Sequence, residues 1–221
     1  MISKFELIPK IKNNNENKNR IFPESFVMVI VGKPGSGKST ITQELLLNDE
    51  LLKNKFDYLV IFSPTIFDYM KDDMIEGKNW IREFSIDKIY ESIEIINNEK
   101  NQTKNVLFIF DDLIGDLHKN NENEKFLNLL FNRRHIIKNG YLSFIFITQR
   151  YLIIPTNLRT CISIIIFFRL TEKDYKQLKS DLIGYLDFTK ISKLITNDYD
   201  FIFVNLEFGV ILKNFIEKII I

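Results

Sequence analysis

The sequence predicts an α/β protein in which a mostly parallel sheet lies between two layers of helices. Short apolar runs alternate with stretches of helical periodicity along the chain, which is the pattern of parallel strands joined by helical crossovers. Some runs are apolar at nearly every position, as in FVMVIV at residues 26–31, which favours strands buried on both faces. A phosphate-binding motif directly follows that run. We therefore expect three layers, with a ligand at the carboxyl ends of the strands.

The composition suits one large domain. The 221 residues are 45% hydrophobic and include 20 Phe, which is ample for a packed core. A formal net charge of +1 argues against a uniformly basic surface, so any contact with nucleic acid is expected to be local or shared among subunits. The single cysteine, Cys161, lies in an apolar run and is expected to be a buried, inert thiol. No apolar run reaches the roughly 18 residues of a membrane helix, and the first residues lack a signal-peptide core, so we expect no membrane segment and no secretion.

A complete phosphate-loop motif follows the first predicted strand. Residues 32–39 read GKPGSGKS and fit G-x-x-x-x-G-K-[ST] at every fixed position. Glycine permits the backbone angles and the close approach that let several amide N–H groups converge on phosphate. The lysine supplies charge to the β- and γ-phosphates, the serine hydroxyl is a ligand for Mg²⁺, and the next helix points its positive end at the anion. The predicted nucleotide-binding residues are Gly32, Lys33, Pro34, Gly35, Ser36, Gly37, Lys38, Ser39 and Thr40.

The remaining elements follow from apolar periodicity and from turn residues. In order, we expect a helix from the phosphate loop to about residue 53, a strand at 58–62, helical pieces over 65–100, a strand at 105–110, a helix over 122–138 that Gly140 ends, strands at 142–148 and 161–168, a helix over 171–183 with a capping box, a shorter helix over 187–196, and a hairpin of 201–206 and 209–212.

Two acidic residues, Asp111 and Asp112, follow the strand predicted at 105–110. Because the carboxyl ends of parallel strands meet at one edge of a sheet, we expect this pair beside the phosphate loop. One carboxylate there can hold Mg²⁺ through water, and its neighbour can polarise the attacking water. The alternative is that the two residues only begin a turn.

Further polar groups complete the predicted site. Gln149 follows the strand at 142–148, and its neutral amide can hydrogen-bond both the γ-phosphate and water, so it can sense whether that phosphate is still attached. A cation from a neighbouring subunit can stabilise the charge that develops in phosphoryl transfer. Arg134 and Arg159 are the candidates for such an arginine finger. The four arginines of this group are Arg133, Arg134, Arg150 and Arg159.

Taken in order, these motifs resemble the genome-packaging ATPases of large double-stranded DNA viruses and virophages, the poxvirus-type branch of the FtsK/HerA superfamily. The phosphate loop is generic, but the ordered set is more specific and spans about residues 25–168. The matching segments are VIVGKPGSGKST, FDYLVIFSPT, VLFIFDDL, LLFNRRHIIKNGYLSFIFITQRYLIIPTNLR and IIIFF. The resemblance implies a P-loop NTPase fold of the RecA/ASCE type, with Asp111 as the Mg²⁺ carboxylate, Asp112 as its catalytic acidic neighbour and Gln149 as the sensor. At Asp112 the wider superfamily usually has Glu, so this chain departs from that pattern by one methylene.

The resemblance also implies cofactors, partners and a location. It implies a Mg²⁺-dependent ATPase that assembles as a ring of five or six copies, binds ATP between subunits and threads viral double-stranded DNA into a preformed capsid. The expected partners are DNA, further copies of the chain, and capsid portal or vertex proteins. We expect the protein in the host cytoplasm, in the viral factory or in the virion. Residues 1–20 are expected to form a flexible N-terminal arm, 21–213 the ATPase domain and 214–221 a C-terminal tail.

Two other classes of function are open at this stage. A nucleotide kinase or a GTPase-like switch would also use a phosphate loop, but we expect neither an arginine-rich lid nor an N-K-x-D base-reading motif in this chain. A non-catalytic scaffold would bind nucleotide only to hold a ring or a capsid contact. The intact Lys38, Ser39 and acidic pair favour catalysis over the scaffold, and an assay of phosphate release distinguishes the two.

Overall fold

A computed structural model describes residues 21–64, 78–99, 104–115, 123–182, 184, 188–191 and 193–219. Their elements in chain order are β1 Val27–Val31, α1 Lys38–Leu47, β2 Tyr58–Phe62, β3 Lys78–Ile81, α2 Ile86–Asn98, β4 Val106–Asp111, α3 Asn123–Phe131, β5 Leu142–Thr148, α4 Thr156–Arg159, β6 Ile164–Phe167, α5 Glu172–Asp181, α6 Phe188–Ile191, β7 Ile202–Asn205, β8 Val210–Lys213 and β9 Glu217–Lys218, with a 3-10 turn at Tyr151–Ile153.

The strands of the described residues form one mixed sheet in the order β3-β2-β4-β5-β1-β6-β7-β8-β9. The six strands from β3 to β6 are parallel, and β7, β8 and β9 continue the sheet antiparallel. This confirms the predicted mostly parallel α/β fold and its C-terminal hairpin. The register pairs Val31 with Thr148 and Asp111 with Ile147, so β1, β4 and β5 end at the same edge.

The sheet is buried on both faces, which explains its continuous apolar strands. Side chains alternate between two cores, so that Val29 belongs to one and Met28 to the other. Helices α2 and α3 contribute to the first core, and α1 contributes Ile41, Leu45 and Leu46 to the second. The described helices therefore lie on both sides of the sheet, as a three-layer architecture requires.

Aromatic side chains stabilise the middle of the first core, below the end of β4. The Phe110 ring stacks between those of Phe62 and Phe146, with centroid separations of 4.6 Å and 5.2 Å, and meets the Phe126 ring of α3 edge-on. Such pairs contribute about 0.5–1.5 kcal/mol each beyond their buried area. They fix the backbone that carries Asp111, the next residue.

The structure corrects the predicted extents of two helices. Helix α1 ends at Leu47, since the Asn48 side chain accepts from the backbone of Glu50 at 2.8 Å and starts a turn. Helix α3 ends at Phe131 and is followed by turns, with the Asn132 amide donating back to Asn128 O at 2.9 Å. Gly140 is therefore not a helix cap. A Cβ there would lie 1.9 Å from Lys104 O, so close backbone approach requires glycine.

Other predictions differ from the structure in part. Strand β3 lies in the region expected to be helical, and β6 begins at Ile164 rather than at Cys161. Residues Glu217–Lys218, within the predicted tail, pair with β8. Thr171 caps α5 as predicted, but the Asp174 carboxylate contacts Leu152 N and Arg150 instead of completing a capping box. Residues 1–20 and 65–77, predicted as an arm and as helical pieces, lie outside the described residues.

No helix in the described part of the chain is long and apolar enough to span a membrane. The Cys161 thiol is buried and unpaired, as expected.

Candidate functional site

The phosphate loop joins β1 to α1 and depends on its glycines. Gly35 and Gly37 have φ values of +74° and +96°, in the left-handed region that favours glycine. Gly32 has no room for a side chain, because a Cβ there would lie 2.5 Å from Ser36 Oγ and 2.9 Å from the Phe168 ring. The motif therefore forms a compact, glycine-dependent loop at the amino end of α1.

The polar groups of this loop are suited to a bound anion. The Lys38 ammonium donates to Gly32 O at 2.8 Å and to Lys33 O at 3.0 Å, so it lies back over the loop. Partial burial lowers the pKa of Lys38, and the nearby Asp112 and Asp111 oppose that shift. Ser36 Oγ is buried and has no hydrogen-bond partner among the described residues, a state that costs free energy unless a ligand supplies a partner. A phosphate group would satisfy both the hydroxyl and the lysine.

Asp111 is the last residue of β4, and its side chain is buried. Ser63 Oγ, at the end of β2, donates to Asp111 Oδ2 at 3.2 Å. Burial and the adjacent Asp112 raise the pKa of Asp111 to about 7, although Ser63 and Lys38 act in the opposite direction. Burial thus disfavours the ionised carboxylate, and a bound cation would stabilise it.

Asp112 is held in an uncommon backbone conformation. Its φ is +53°, which is rare for a residue other than glycine and occurs often at functional sites. Its backbone N–H donates to Ile147 O at 3.0 Å, and its Oδ2 accepts from Gln149 Nε2 at 3.1 Å. The predicted sensor and the predicted acidic neighbour are therefore in direct contact.

The donors at this edge fit Mg²⁺ bound together with a nucleotide. Among the described residues, no cluster of three or more His, Cys, Asp or Glu side chains could hold a metal by itself. Mg²⁺ commonly keeps several waters and uses one or two carboxylates plus substrate phosphates. Ser39, in the first turn of α1, and Asp111 are the side chains that would hold it here.

The structure does not bring the two arginine-finger candidates to the phosphate loop of their own chain. Arg134 pairs with Glu207 at 3.2 Å beside a cavity of about 270 Å³ that Ser25 and Tyr141 also line. These residues precede β1 and β5, so this cavity lies at the opposite edge of the sheet.

Arg159 is held inside its own subunit. It pairs with Asp181 at 3.2 Å, donates to Thr156 Oγ1 at 3.1 Å and lies 5.7 Å from the centre of the Tyr151 ring, with 13% of its side chain exposed. The other two arginines of the group also make intrachain contacts, Arg133 with Leu130 O and Arg150 with Asp174.

The contribution of β2 and β3 to the candidate site was not predicted from the sequence. Ser63 contacts Asp111, and Trp80 of β3 donates from Nε1 to Ser63 O at 3.0 Å. A polar residue directly after the buried β2, next to β4 in the sheet, was the signal for Ser63.

The letters N-K-F-D at residues 54–57 match the GTPase base-reading motif, contrary to expectation. In the structure, Lys55 contacts Phe22 O and Asp57 accepts from Asn105 N, at the amino ends of the strands. The segment is therefore remote from the phosphate loop and cannot read a base bound there.

Solved structures with this fold include several of one viral protein. The genome packaging NTPase B204 of Sulfolobus turreted icosahedral virus 2, in complex with sulfate, matches with a TM-score of 0.64 and 16% identity, over 87% of this chain and 96% of that one. The same protein in complex with ATP-γ-S gives a TM-score of 0.61 at 17% identity, over 85% and 96%. The conjugation coupling protein TcpA of pCW3 gives 0.55 at 16% identity, over 81% and 57%. At these identities the likenesses establish the fold.

Sequence comparison establishes the family. A search of curated proteins finds no match. A family model described as Poxvirus A32 protein, however, matches residues 13–184, which is most of the chain and includes the phosphate loop, both acids and Gln149. The protein therefore belongs to the poxvirus A32 family of viral genome-packaging ATPases.

Proposed function

We propose that this viral DNA-packaging ATPase hydrolyses Mg²⁺-bound ATP and uses the energy to move double-stranded DNA into a preformed capsid. One observation carries the proposal: the phosphate loop, the acidic pair and Gln149 follow three neighbouring strands that end at one edge of the sheet. B204, which shares the fold, was solved with AMP, ATP-γ-S and AMPPCP, which supports nucleotide binding by this chain.

Each side chain at this edge has a separate role in the proposed reaction. The loop amides and Lys38 bind the phosphates and neutralise charge on the transferred group. Asp112 is the candidate base that orients and deprotonates the attacking water. Gln149 contacts Asp112 in the structure, so it can exchange this hydrogen bond for one to the γ-phosphate and report hydrolysis to β5.

Mg²⁺ would neutralise phosphate charge and the Asp111 carboxylate together. In this proposal Ser39 and Asp111 hold the ion. Burial raises the pKa of Asp111, and a bound cation would stabilise its ionised carboxylate. We assign the chain ATP and Mg²⁺ as cofactors on this basis.

In a ring, a neighbouring subunit can supply the arginine that neither candidate places at the phosphate loop of its own chain. Neither Arg134 nor Arg159 contacts the phosphate loop of its own chain, and a neighbouring subunit can supply an arginine. Arg134 is the better candidate of the two, since 52% of its side chain is exposed, compared with 13% for Arg159. We propose a homo-oligomeric ring, of five or six subunits, in which Arg134 faces the next subunit's nucleotide.

The remaining partners are double-stranded DNA and proteins of the capsid portal or vertex. A net charge of +1 means that the DNA contact is a local feature, repeated around the ring, rather than a property of the whole surface. The proposed sites of action are the host cytoplasm or viral factory, and the virion.

Phosphate release from ATP tests the catalytic part of this proposal. We expect Mg²⁺-dependent release by the wild type, and a loss of at least about 100-fold in Lys38→Ala and Asp111→Ala. Lys53→Ala removes an exposed lysine that pairs with Asp49 beyond α1, and it serves as the matched control. Equal rates in wild type and Lys38→Ala would overturn the proposal, whereas tight ATP binding without any release would indicate the scaffold.

A further inference from the structure

A cavity of about 300 Å³ lies beside the phosphate loop, at the carboxyl end of β6. It is near the lower end of the size range of pockets that hold small ligands. Strand β6 borders β1 on the side opposite β5, so the cavity and the acidic pair lie on opposite sides of the loop. The residues that line it are Phe168, Arg169, Leu170, Glu172, Tyr175 and Ile195.

An exposed aromatic ring lies against the loop near this cavity. Tyr199 is 72% exposed, yet its ring lies against the loop, with Cδ1 3.5 Å from the position of a Cβ on Gly37. Phe168 approaches the same position at 3.7 Å and also lines the cavity. An apolar surface therefore runs from Gly37, the residue before α1, along Phe168 into the cavity.

Hydrogen bonds hold the turn that carries Tyr199 in place. The Asp200 carboxylate accepts from the backbone N–H groups of Thr196 and Asn197, at 3.0 Å each, and pairs with Lys213 at 3.2 Å. Arg169 donates to Thr196 O at 3.1 Å and pairs with Asp198 at 3.3 Å. Tyr199 is thus exposed but positioned, which lowers the entropy cost of binding a ligand against its ring.

The phosphate loop determines which way a nucleoside triphosphate lies. In the proposed reaction, the terminal phosphate of the nucleotide reacts beside Asp112 and Gln149, on the β4–β5 side of the loop. The nucleoside end of the bound nucleotide then extends to the other side of the loop, toward β6. We propose that Tyr199 and the cavity at the end of β6 form the nucleobase site, with the base stacked on the Tyr199 ring and its edge in the cavity. This inference rests on the proposed function and deepens it.

The chemistry of the surface suits a purine base. Aromatic rings stack on the π-face of any base, and Phe168, Leu170 and Ile195 supply apolar walls. Arg169, which also contacts Thr196 and Asp198, and Glu172, which also pairs with Lys176 at 2.7 Å, line the cavity. Their remaining N–H donors and carboxylate lone pairs can meet the ring nitrogens and the exocyclic amino group of adenine.

Calorimetry with two ligands isolates the base from the phosphates. ATP carries both, whereas inorganic tripolyphosphate carries only the charge that the loop binds. For Tyr199→Ala we expect about tenfold weaker binding of ATP and tripolyphosphate binding within about twofold of wild type. Tyr199→Phe keeps the ring and should bind both as wild type does. Tyr90→Ala removes an exposed tyrosine from α2, remote from the loop, and controls for the loss of a surface ring.

A fluorescent base analogue gives a second readout. 2-Aminopurine riboside triphosphate should be quenched on binding to wild type and Tyr199→Phe, because its base stacks, and less so in Tyr199→Ala. An unchanged ATP affinity in Tyr199→Ala would overturn the base site, as would an equal loss for both ligands, since Tyr199 would then act by shaping the loop. A wild type that binds neither ligand would instead remove the proposed function, and the base site with it.

Discussion

Asp111 and Asp112 are neighbours in sequence but occupy different surroundings. Asp111 is buried at the end of β4 and accepts from Ser63, whereas Asp112 is exposed, has positive φ and contacts Gln149. A buried carboxylate with a raised pKa suits a cation ligand, and an exposed one next to an amide sensor suits contact with water. The two roles implied by the family resemblance therefore correspond to two physical environments.

The raised pKa of Asp111 predicts how stability depends on pH. Between about pH 4 and pH 7 the folded protein holds a proton on Asp111 that the unfolded chain has lost, so this residue lowers the free energy of unfolding as pH rises through that window. Asn does not titrate. We therefore expect the melting temperature of Asp111→Asn, relative to wild type, to rise from pH 5 to pH 7 and then level off, in protein free of nucleotide and metal.

Asp49→Asn, which changes an exposed acid in the turn after α1, controls for the loss of one charge. A difference between Asp111→Asn and wild type that stays constant from pH 5 to pH 8 would show that Asp111 titrates normally in the folded protein.

Among the secondary-structure elements, the strands that lead into the candidate site are those that the sequence predicts best. Strands β1, β4 and β5 are apolar at almost every position because both faces are covered, and a polar motif follows each one. Parallel pairing then places the three motifs at one edge, so the main part of the candidate site is predictable. The positions of Arg134 and Arg159 are not, because they depend on the turns that follow α3 and on α4.

Strand β3 shows why other parts were not predictable. It is an edge strand of four residues, KNWI, whose pairing with β2 comes from tertiary contacts rather than from a local pattern. Helix α3 is shorter than its apolar periodicity suggests, because Ile136 and Ile137 pack against the core from turns. In both cases long-range packing overrides the local signal.

One buried carboxylate joins helix α5 to residues 149–152, here called the sensor segment because they include the proposed sensor Gln149. Asp174 accepts from Leu152 N at 3.0 Å and from Arg150 Nε at 3.4 Å, and it also contacts Thr171 Oγ1. Burial acts to raise the pKa of Asp174, but the hydrogen bonds outweigh it and lower the pKa overall. Because Arg150 follows Gln149 directly, this contact anchors the sensor segment to α5.

We expect Asp174→Ala to destabilise the protein by about 2 kcal/mol, since it leaves the Leu152 amide and the Thr171 hydroxyl without their acceptor. The melting temperature should fall by about 4–8 °C, and ATP hydrolysis should fall more than ATP binding. Lys173→Ala, which removes a neighbouring exposed side chain from α5, is the control. A melting temperature equal to that of wild type would show that Asp174 does not anchor the segment.

The sheet as a whole separates the edge that bears the candidate site from the edge that bears Arg134. The phosphate loop and acids lie at the carboxyl edge, and Arg134 lies with Glu207 and the exposed Phe208 at the amino edge. A ring in which the amino edge of one subunit meets the carboxyl edge of the next would complete each site. Catalysis would then depend on assembly.

Mixing inactive variants tests this arrangement. Lys38→Ala and Arg134→Ala should each be inactive alone, but rings refolded from an equal mixture should recover part of the ATPase rate, because some interfaces combine an intact Lys38 with an intact Arg134. Lys38→Ala mixed with Asp112→Asn is the control, since both residues belong to the same subunit's half of the site. Absence of recovery in the first mixture, when rings are shown to form, would exclude Arg134 as a residue supplied across the interface.

Displacement of the third strand from a DNA triplex measures whether hydrolysis at the carboxyl edge of the sheet moves double-stranded DNA. We predict that the assembled wild type releases the third strand only when ATP and Mg²⁺ are both present, and that Asp112→Asn binds ATP but releases no third strand. Hydrolysis by the wild type that double-stranded DNA does not accelerate, together with a triplex that stays intact, would show that this protein does not move DNA.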